Sequence, residues 1–481
     1  MAFIIGGANT LDDAYEISNS LRFNRTDNQS LSRAPSADGN RKTWTFSTWF
    51  KFGNTPYDKS QDYDIFSANS TNNFRDELRL DANGKLTLLS KVSGDTANGV
   101  KGSSTRVFRD ISAWYHIVVA LDTTQATNTN GFKMYVNGVQ ETISFNAYNQ
   151  NISTSFNKDG STMAIGHRQN DGGNNLDAYV AETHFIDGTQ LDASYFGKTD
   201  NNGVWVPKEY TGTYGTNGFF LEYKQTGTSA NSSGIGADTS GNDHHFTLDN
   251  FDGKDTVVDT PTNNFMVMNP LYTNSRGTFD EGNTQVTTSV QGSVPYGQVE
   301  FGNFFVNKGK WYFEVRPTTV GSGGSLGLGV NERAYEGSYV NGHNNGGSAG
   351  NIRWNHSNGN IVNGSAGSTS GSTYANDDIL GFAMDLDNSK IYCHKNGTYE
   401  NSGNPSTGSN GITMTSAYSD YWTAWMSKDD TTNNAEVDFN FGNPQFTISS
   451  SNSDANGYGT FEYAVPSGFY ALCTKNLAEY G

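Results

Sequence analysis

The fold is decided by residues 113–141, AWYHIVVALDTTQATNTNGFKMYVNGVQE. The pattern predicts a strand at 115–121, a polar loop, a second strand at 133–136, and a turn at Asn137-Gly138. An Asn-Gly pair between alternating residues is the strongest short hairpin signal, because a type I′ turn needs positive φ at both central positions. We therefore expect a β-hairpin in the middle of a curved antiparallel sandwich.

The same order of strand, polar turn, strand and Asn-Gly recurs at residues 376–400, NDDILGFAMDLDNSKIYCHKNGTYE. Here the second strand ends at Asn396-Gly397. Two copies predict two sandwiches, so the expected fold class is all-β. We expect one sandwich at 1–205, an irregular connector with added strands at 206–270, and the other sandwich at 271–481.

The composition supports an all-β chain. Hydrophobic residues make up only 34% and the mean hydropathy is −0.62, but the chain also has 55 glycines and 13% aromatic residues. Disordered chains are poor in aromatic and β-branched residues, so the low hydropathy reflects many Gly, Asn, Ser and Thr turns.

Charge excludes several classes of partner. The chain has 31 basic and 49 acidic residues, a net charge of −18. Binding to nucleic acid or to an anionic membrane depends on clustered Lys and Arg, and no basic run exists. Because no apolar run approaches about 18 residues, we expect no membrane insertion. The N-terminal residues MAFIIGGANTLDD lack the basic start of a signal peptide. Cys393 and Cys473 are expected to be buried small hydrophobes.

The stretch WTFSTWFKF at 44–52 predicts an inner strand. Aromatic residues occupy one face, while Trp49 interrupts the otherwise polar face, so both faces should be covered. Further strands are predicted at 64–68, 77–81, 85–91 and 105–110.

The order of elements in residues 18–200 resembles the laminin G-like, concanavalin A-like family. The matching features are W-x-x-x-x-W-x-K, WYHIVVALD, Y-V-N-G, IG, and a strand with Glu182 that closes in D-G-T-Q-L. The resemblance implies a concanavalin A-like jelly roll, in which loop carboxylates at the sandwich rim often bind calcium. Asp122, Asp171 and Asp177 are the candidate ligands. Solvated loop carboxylates are the alternative, and no cofactor is required.

Residues 298–475 resemble the SPRY family, whose domains are also bent β-sandwiches. That family uses a K-x-Y-x-E-V strand, an N-G hairpin and a closing N-F-G-x-P-F strand; here Gln445 is an extra residue before Phe446. The stretches that carry the resemblance are GKWYFEV (309–315), LGLGV (326–330), DILGFAMDLDNSKIYCHKNG (378–397) and VDFNFGNPQF (437–446).

Three segments that flank or join the two sandwiches are similar to segments of virion-associated proteins of tailed phages that infect marine and cyanobacterial hosts. The segments are YEISNSLRFN (15–24), GVWVPKEYTGTYGTNGFFLEY (203–223) and PSGFYALCTKNL (466–477). This resemblance implies a protein that is assembled in the host cytoplasm and located in the virion.

Catalysis is not expected. Concanavalin A-like glycosidases use E-x-D followed closely by a second Glu, with the acids on one sheet face. Glu436 and Asp438 are the nearest match, but Asn440 and Phe441 stand where a further acid would be needed. We interpret the stretch as the closing strand of the SPRY-like domain.

Four aromatic residues in or beside Gly/Asn/Ser-rich loops (331–376) are the candidate ligand-binding residues, because aromatic faces stack on sugars. Alternatively, these side chains pin the loops to the sandwich or pack at an oligomer interface. The candidates are Tyr335, Tyr339, Trp354 and Tyr374.

Three functions follow, in order of preference. The first is a tail- or fibre-associated adhesin that binds host cell-surface glycan without catalysis. The second is a capsid decoration or connector protein that contacts only virion subunits, and the third is a glycan-cleaving enzyme. The expected partners are other virion proteins, a host glycan and further copies of the chain.

Overall fold

The computed structural model describes residues 15–54, 61–71, 74–92, 94–169, 171–271, 277–288, 298–321, 326–332, 350–364, 367–416, 419–428 and 434–481. These residues form two compact units, of which the first ends at Thr262 and the second begins at Asn263. The sequence placed divisions near 205 and 270 instead. Most of the connector belongs with the first unit, because its short strands pair with strands of that unit.

The described residues of the first unit form mainly strands and loops, with a short α-helix at Asn128–Gly131. Its strands are β1 (Ser20–Phe23), β2 (Ser30–Arg33), β3 (Thr43–Phe52), β4 (Tyr63–Thr71), β5 (Phe74–Leu80), β6 (Leu86–Lys91), β7 (Val100–Ser104), β8 (Tyr115–Asp122), β9 (Phe132–Val136), β10 (Val139–Gln140), β11 (Ile143–Tyr148), β12 (Thr162–Ile165), β13 (Ala178–Asp187), β14 (Gly197–Thr199), β15 (Trp205–Pro207), β16 (Phe219–Leu221), β17 (Thr247–Asp249) and β18 (Thr256–Val257).

Two eight-stranded antiparallel sheets form the sandwich. Sheet A has the order β10-β9-β8-β3-β13-β1-β18, with β16 beside β13, and sheet B has the order β11-β7-β6-β5-β4-β12-β2-β17. Asn137 (φ 47°) and Gly138 (φ 79°) form the turn between β9 and β10 as predicted. The hairpin lies at one edge of sheet A rather than in its middle, because β10 is only two residues long and pairs with β9 alone.

Strand β3 is covered on both faces, as its sequence predicted. Trp44, Phe46 and Phe50 enter the core between the sheets, where the ring of Phe46 stacks on that of Phe66 at 4.8 Å between centroids. On the opposite face, Trp49 is only 5% exposed. Alternation along a strand therefore places aromatic residues in two separate apolar layers.

The second apolar layer lies on the outer face of sheet A. Trp49 packs there with Ile17, Trp114, Tyr179 and Val257. A neighbouring cluster joins sheet residues to the segment that follows β13; its members are Val118, Tyr135, Ile186, Leu191, Ala193 and Phe196, with Trp205, Tyr210 and Tyr214 packed against them. The segments before β1 and after β13 thus close this face from solvent.

The second unit is also a two-sheet sandwich and contains an α-helix at Thr474–Tyr480. Its strands are β19 (Gly277–Asp280), β20 (Gln285–Thr288), β21 (Gln298–Phe301), β22 (Lys310–Thr319), β23 (Leu326–Asn331), β24 (Asn351–Asn355), β25 (Ile361–Asn363), β26 (Gly367–Thr369), β27 (Leu380–Asp385), β28 (Lys390–Lys395), β29 (Thr398–Tyr399), β30 (Ile412–Thr413), β31 (Thr423–Lys428), β32 (Glu436–Asn440) and β33 (Tyr470–Ala471).

Sheet C of this unit has the order β19-β20-β32-β22-β27-β28-β29, with β30 beside β28 and β33 beside β22. Sheet D has the order β21-β31-β23-β24-β25-β26. The second Asn-Gly turn, Asn396 (φ 49°) and Gly397 (φ 81°), again lies at a sheet edge. The all-β class with two sandwiches is confirmed. Among the described residues, no helix is long and apolar enough to cross a membrane.

The two cysteines are buried and unpaired, as expected. Cys393 lies in the core between sheets C and D, and burial raises the pKa of its thiol. Burial also raises the pKa of the Cys473 thiol, to about 12. A buried thiol that stays protonated packs as a small hydrophobe.

Candidate functional site

The outer face of sheet B differs from that of sheet A. Leu78 and Leu80 of β5 enter the core, so the alternating residues Arg75, Glu77 and Arg79 point outward. No hydrophobic cluster of described residues packs on this side. We call it the charged face and define it by Asp64, Arg75, Glu77, Arg79 and Arg168.

Glu77 is the centre of the charged face. Its Oε1 lies 2.9 Å from Nε of Arg75, and its Oε2 lies 2.8 Å from Nη1 of Arg79. The same Nη1 lies 3.0 Å from Oδ2 of Asp62. The Glu77 side chain is 1% exposed, whereas those of Arg75 and Arg79 are 24% and 15% exposed. A buried carboxylate thus orients two guanidinium groups whose outer edges reach solvent.

Asp64 is directly opposite Arg79 on β4. Its Oδ1 accepts a hydrogen bond from Nδ2 of Asn174 at 3.1 Å, and its Oδ2 has no hydrogen-bond partner. Burial, and secondly the nearby charge of Glu77, hold the pKa of the Asp64 carboxyl well above its usual range. The Asp64 carboxyl therefore keeps its proton to a higher pH than a solvent-exposed aspartate does.

Arg168 extends the charged face beyond β12. Its Nε and Nη2 donate to Oδ1 and Oδ2 of Asp171 at 2.8 Å and 2.7 Å, a bidentate pair that lowers the pKa of Asp171. The backbone nearby is fixed by Ser67, whose hydroxyl donates to the carbonyl of His167 and accepts from the amide of Gln169. The guanidinium groups are the partly exposed members of this surface, whereas Ser67, Asp64 and Glu77 are buried. Exposed guanidinium groups suit a polar ligand rich in hydroxyl or oxyanion groups.

Sequence analysis did not identify the charged face as a candidate site, although its central residues form a visible pattern. The motif R-D-E-L-R at 75–79 carries charged residues at every second position of a predicted strand, which places all three on one sheet face. The strand predicted at 77–81 was confirmed as part of β5, which begins earlier, at Phe74, and so includes Arg75. Its partners across the sheet could not be identified, since register depends on contacts distant in sequence.

The predicted ligand-binding aromatics fall elsewhere. Tyr335 and Tyr339 lie outside the described residues. Trp354 is in β24 and is 0% exposed; its Nε1 donates to the carbonyl of Ser372 at 2.9 Å. Tyr374 is 2% exposed, and its ring packs edge-on against that of Trp354. The last two rings have no face free for a sugar, so they pack within the core instead.

The predicted calcium ligands do not converge. Asp122 ends β8 opposite Thr43, while Asp177 precedes Ala178, which pairs with Phe52. Strand β3 separates these positions by about 30 Å at its full length of ten residues. Asp171 pairs with Arg168, as described above. In the part of the chain that the structure describes, no group of three or more His, Cys, Asp or Glu residues could hold a metal ion.

The two acids that resemble a glycosidase motif are engaged in the outer face of sheet C. Oδ2 of Asp438 accepts from Nε and Nη2 of Arg316 at 3.0 Å and 2.6 Å. Glu436 accepts from the hydroxyl of Thr318 at 2.7 Å. The ring of Phe446 covers the Arg316 guanidinium, 4.5 Å from its centroid. These contacts hold β32 against β22, and they hold the segment that follows β32 against the same strand.

The K-x-Y-x-E-V motif has an equally structural explanation. Glu314 is buried and accepts from the backbone amides of Glu462 and Tyr463 at 3.0 Å and 2.8 Å, and from the Tyr312 hydroxyl at 3.0 Å. The Tyr312 oxygen lies 2.8 Å from Nε2 of His394. Burial raises the pKa of Glu314 and lowers that of His394 to about 4. The motif therefore holds the chain near residue 462 against sheet C.

The charged face lies within a region that has known relatives. Residues 24–193 match the family model of the concanavalin A-like lectin/glucanases superfamily. The first unit contains a concanavalin A-like domain. This agrees with the laminin G-like resemblance inferred from the sequence, and sheet B is one of the two sheets of that domain.

Three solved structures that match parts of this chain have the following similarities. The SPRY domain of human HERC1 has 11% identity and a TM-score of 0.26, covering 32% of this chain and 87% of its own. A heptameric SAP-like pentraxin from Limulus polyphemus has 18% identity and a TM-score of 0.28, with coverages of 37% and 80%. A candidate carbohydrate-binding protein from Bacteroides ovatus has 13% identity and a TM-score of 0.32, with coverages of 49% and 59%. A search among curated proteins gave no match.

Proposed function

We propose that the protein is a non-catalytic, glycan-binding component of a phage virion, and that the charged face of its concanavalin A-like domain contacts the glycan. The observation that carries the proposal is the arrangement of Arg75 and Arg79 around the buried Glu77. Donor side chains that are already held in place on a sheet bind sugar oxygens with little loss of conformational entropy.

The virion location is supported by the phrases that resemble tailed-phage proteins at residues 15–24, 203–223 and 466–477. A tail- or fibre-associated protein that binds glycan would attach the particle to its host. The partners of this role are other virion proteins, further copies of the chain and the host polysaccharide. The alternative is a decoration or connector protein that contacts only virion subunits.

The experiment is binding of the purified full chain to host cells, before and after their surface polysaccharide is stripped. Saturable binding that disappears on stripping, and that free polysaccharide competes away, supports the adhesin. Absence of binding to cells, together with attachment of the protein to particles that lack it, would establish the virion structural role instead.

Glycan cleavage is tested in the same samples. Asp64 and Glu77 are the two carboxyl groups of the charged face, and two carboxyl groups are the usual requirement for glycoside hydrolysis. We expect no release of reducing ends when polysaccharide is incubated with the protein. Release that a Glu77→Gln variant abolishes would show that the face is an active site.

A further inference from the structure

The guanidinium groups of the charged face have unused donors. In the part of the chain that the structure describes, Arg75 contacts a carboxylate only through Nε, which leaves Nη1 and Nη2 without a partner. Arg79 uses Nη1 for both Glu77 and Asp62, and its Nη2 has none. Both side chains are partly exposed, so these donors can reach a ligand.

The donors are also held in place. Glu77 is inaccessible to solvent; it accepts a hydrogen bond from Nη1 of Arg79 and forms an ion pair with Arg75. These contacts restrict both guanidinium groups, so neither must lose much rotamer freedom on binding. A planar guanidinium with two free nitrogens matches the two oxygens of a carboxylate or sulfate group. A neutral hydroxyl group offers a single oxygen, so it cannot accept two parallel hydrogen bonds from the two nitrogens of a guanidinium.

The surroundings favour an anion although the whole chain is acidic. Cross-strand register places Lys91 directly opposite Arg75. Lys101 is opposite Leu89, which is opposite Glu77. On the outward positions of strands β4 to β7, cationic side chains therefore outnumber carboxyl groups. In a chain of net charge −18, this is a locally cationic sheet face.

The second carboxyl group of the charged face is withdrawn from solvent. Asp64 is 0% exposed. Burial, and secondly the nearby charge of Glu77, hold the pKa of its carboxyl well above the usual range. The raised pKa weakens the negative charge that this side chain would set against an anionic ligand.

We propose that the charged face selects acidic polysaccharides, with an oxyanion group of the sugar bound between the free guanidinium nitrogens of Arg75 and Arg79. This inference rests on the proposed glycan-binding function and specifies its ligand class. The anion is either a uronate carboxylate or a sulfate ester, since both present paired oxygens to a guanidinium.

The test measures affinity of the full chain for polygalacturonate, dextran sulfate and neutral dextran by calorimetry, with polyglutamate as a polyanion without sugar. We expect at least one acidic polysaccharide to bind more tightly than dextran or polyglutamate. Comparison of polygalacturonate with dextran sulfate distinguishes carboxylate from sulfate recognition.

Three variants locate the site. Arg75→Gln removes the fork, and Arg75→Lys keeps the charge without the planar pair of donors; each should weaken acidic-glycan binding by about tenfold. Lys254→Gln is the matched control, because it removes an exposed cation, paired with Asp252, elsewhere in the same unit. The thermal midpoint of each variant reports whether folding is intact.

The outcomes separate the two proposals. Equal binding of acidic and neutral polysaccharides, or equal affinity of folded Arg75→Gln and the unchanged protein for the acidic ones, would overturn the selectivity while leaving glycan binding intact. Binding of polyglutamate as tightly as of acidic glycan would reduce the effect to charge attraction. If no polysaccharide tested and no host glycan binds, the proposed function itself fails.

Discussion

Lys51 and Asp259 form an ion pair that is completely shielded from solvent, with both side chains 0% exposed. Lys51 points from β3 to the outer side of sheet A, and Asp259 belongs to the segment that covers it. Asp259 also accepts a hydrogen bond from Nε1 of Trp114 at 3.1 Å. The pair therefore fastens the covering segment to the centre of the sheet.

Removal of one member of the Lys51–Asp259 ion pair should destabilise the first unit. We expect Asp259→Asn to lower the free energy of unfolding of the first unit by about 3–5 kcal/mol, because it leaves the buried Lys51 charge uncompensated. The measurement is denaturant unfolding followed by tryptophan fluorescence. The double variant Lys51→Met/Asp259→Leu should lose less than the single one; a greater loss would contradict this explanation.

Trp354 provides a second prediction. Because its ring fills the core of the second unit, Trp354→Ala should lower the free energy of unfolding by about 3–5 kcal/mol. Thermal and denaturant unfolding measure the loss, and Tyr421→Ala, a change at a side chain 46% exposed, is the control. An unchanged stability together with lost glycan binding would return Trp354 to the binding role that the sequence suggested.

A third prediction concerns the buried carboxylate of Glu314. Glu314→Ala removes the acceptor for the amides of Glu462 and Tyr463, so we expect a loss of about 2–4 kcal/mol and faster hydrogen exchange in that segment. Amide exchange measured by mass spectrometry tests both. The exchange of β5 in the first unit is the internal control, and equal protection around residue 462 in both proteins would contradict the assigned role.

His116 provides a prediction about pH. Its Nδ1 accepts from Nε1 of Trp205 at 3.1 Å and its Nε2 lies 2.9 Å from the Ser47 hydroxyl, so the ring is neutral with the proton on Nε2. Burial, and secondly the proximity of His184, lowers the pKa of His116 to about 3. The unfolded chain gains a proton near pH 6.5 whereas the folded chain does not, so stability from this group is present above pH 6.5 and lost as the pH falls toward 3.

The difference between the unchanged protein and a His116→Gln variant isolates this effect from other titrating groups. We expect the free-energy difference to shrink by about 2–3 kcal/mol between pH 7.5 and pH 4.5. Urea unfolding at both pH values provides the measurement. A difference that is independent of pH would mean that His116 titrates normally in the folded state.

Glycan binding should depend on pH through Asp64. The charges near it are Glu77 and Arg79 on β5 and Arg168 after β12, and Asn174 bonds its Oδ1. Since its pKa lies well above the usual range, Asp64 loses its proton only as the pH rises through that raised value. Affinity for acidic polysaccharide should then fall, because a new negative charge appears on the face. Asp64→Asn should remove this dependence; persistence of the dependence would exclude Asp64 as its source.

Local patterns predicted most of the fold. Alternation in 44–52 gave both apolar faces of β3, and both Asn-Gly pairs adopt positive φ. One strand was misplaced, at 105–110 rather than Val100–Ser104. The true strand contains Gly102, where any side chain would collide with Phe132 and Ile143, and glycine carries little strand propensity.

The site was harder to predict because it depends on register. Charges alternate visibly at 75–79, but only the pairing of β5 with β4 brings Asp64 beside Arg79. Conversely, Trp354 was expected to bind ligand because it was placed in or beside a Gly/Asn/Ser-rich loop, whereas the structure places it inside β24 with its side chain in the core. Local composition does not distinguish a loop aromatic from one in a short core strand between loops.

The apolar layer on the outer side of sheet A determines which piece of the chain can be moved as a module. A fragment that ends at residue 193, where the family match stops, would lack Val257, which packs with Trp49 and Tyr179, and Trp205, whose ring stacks on that of His116. Trp49, Tyr179 and His116 would then face water. Such a fragment should aggregate, since a large exposed apolar patch favours self-association. Grafting this domain onto another protein therefore requires the residues up to Thr262, and the extra seventy or so are as much a part of it as the strands they protect.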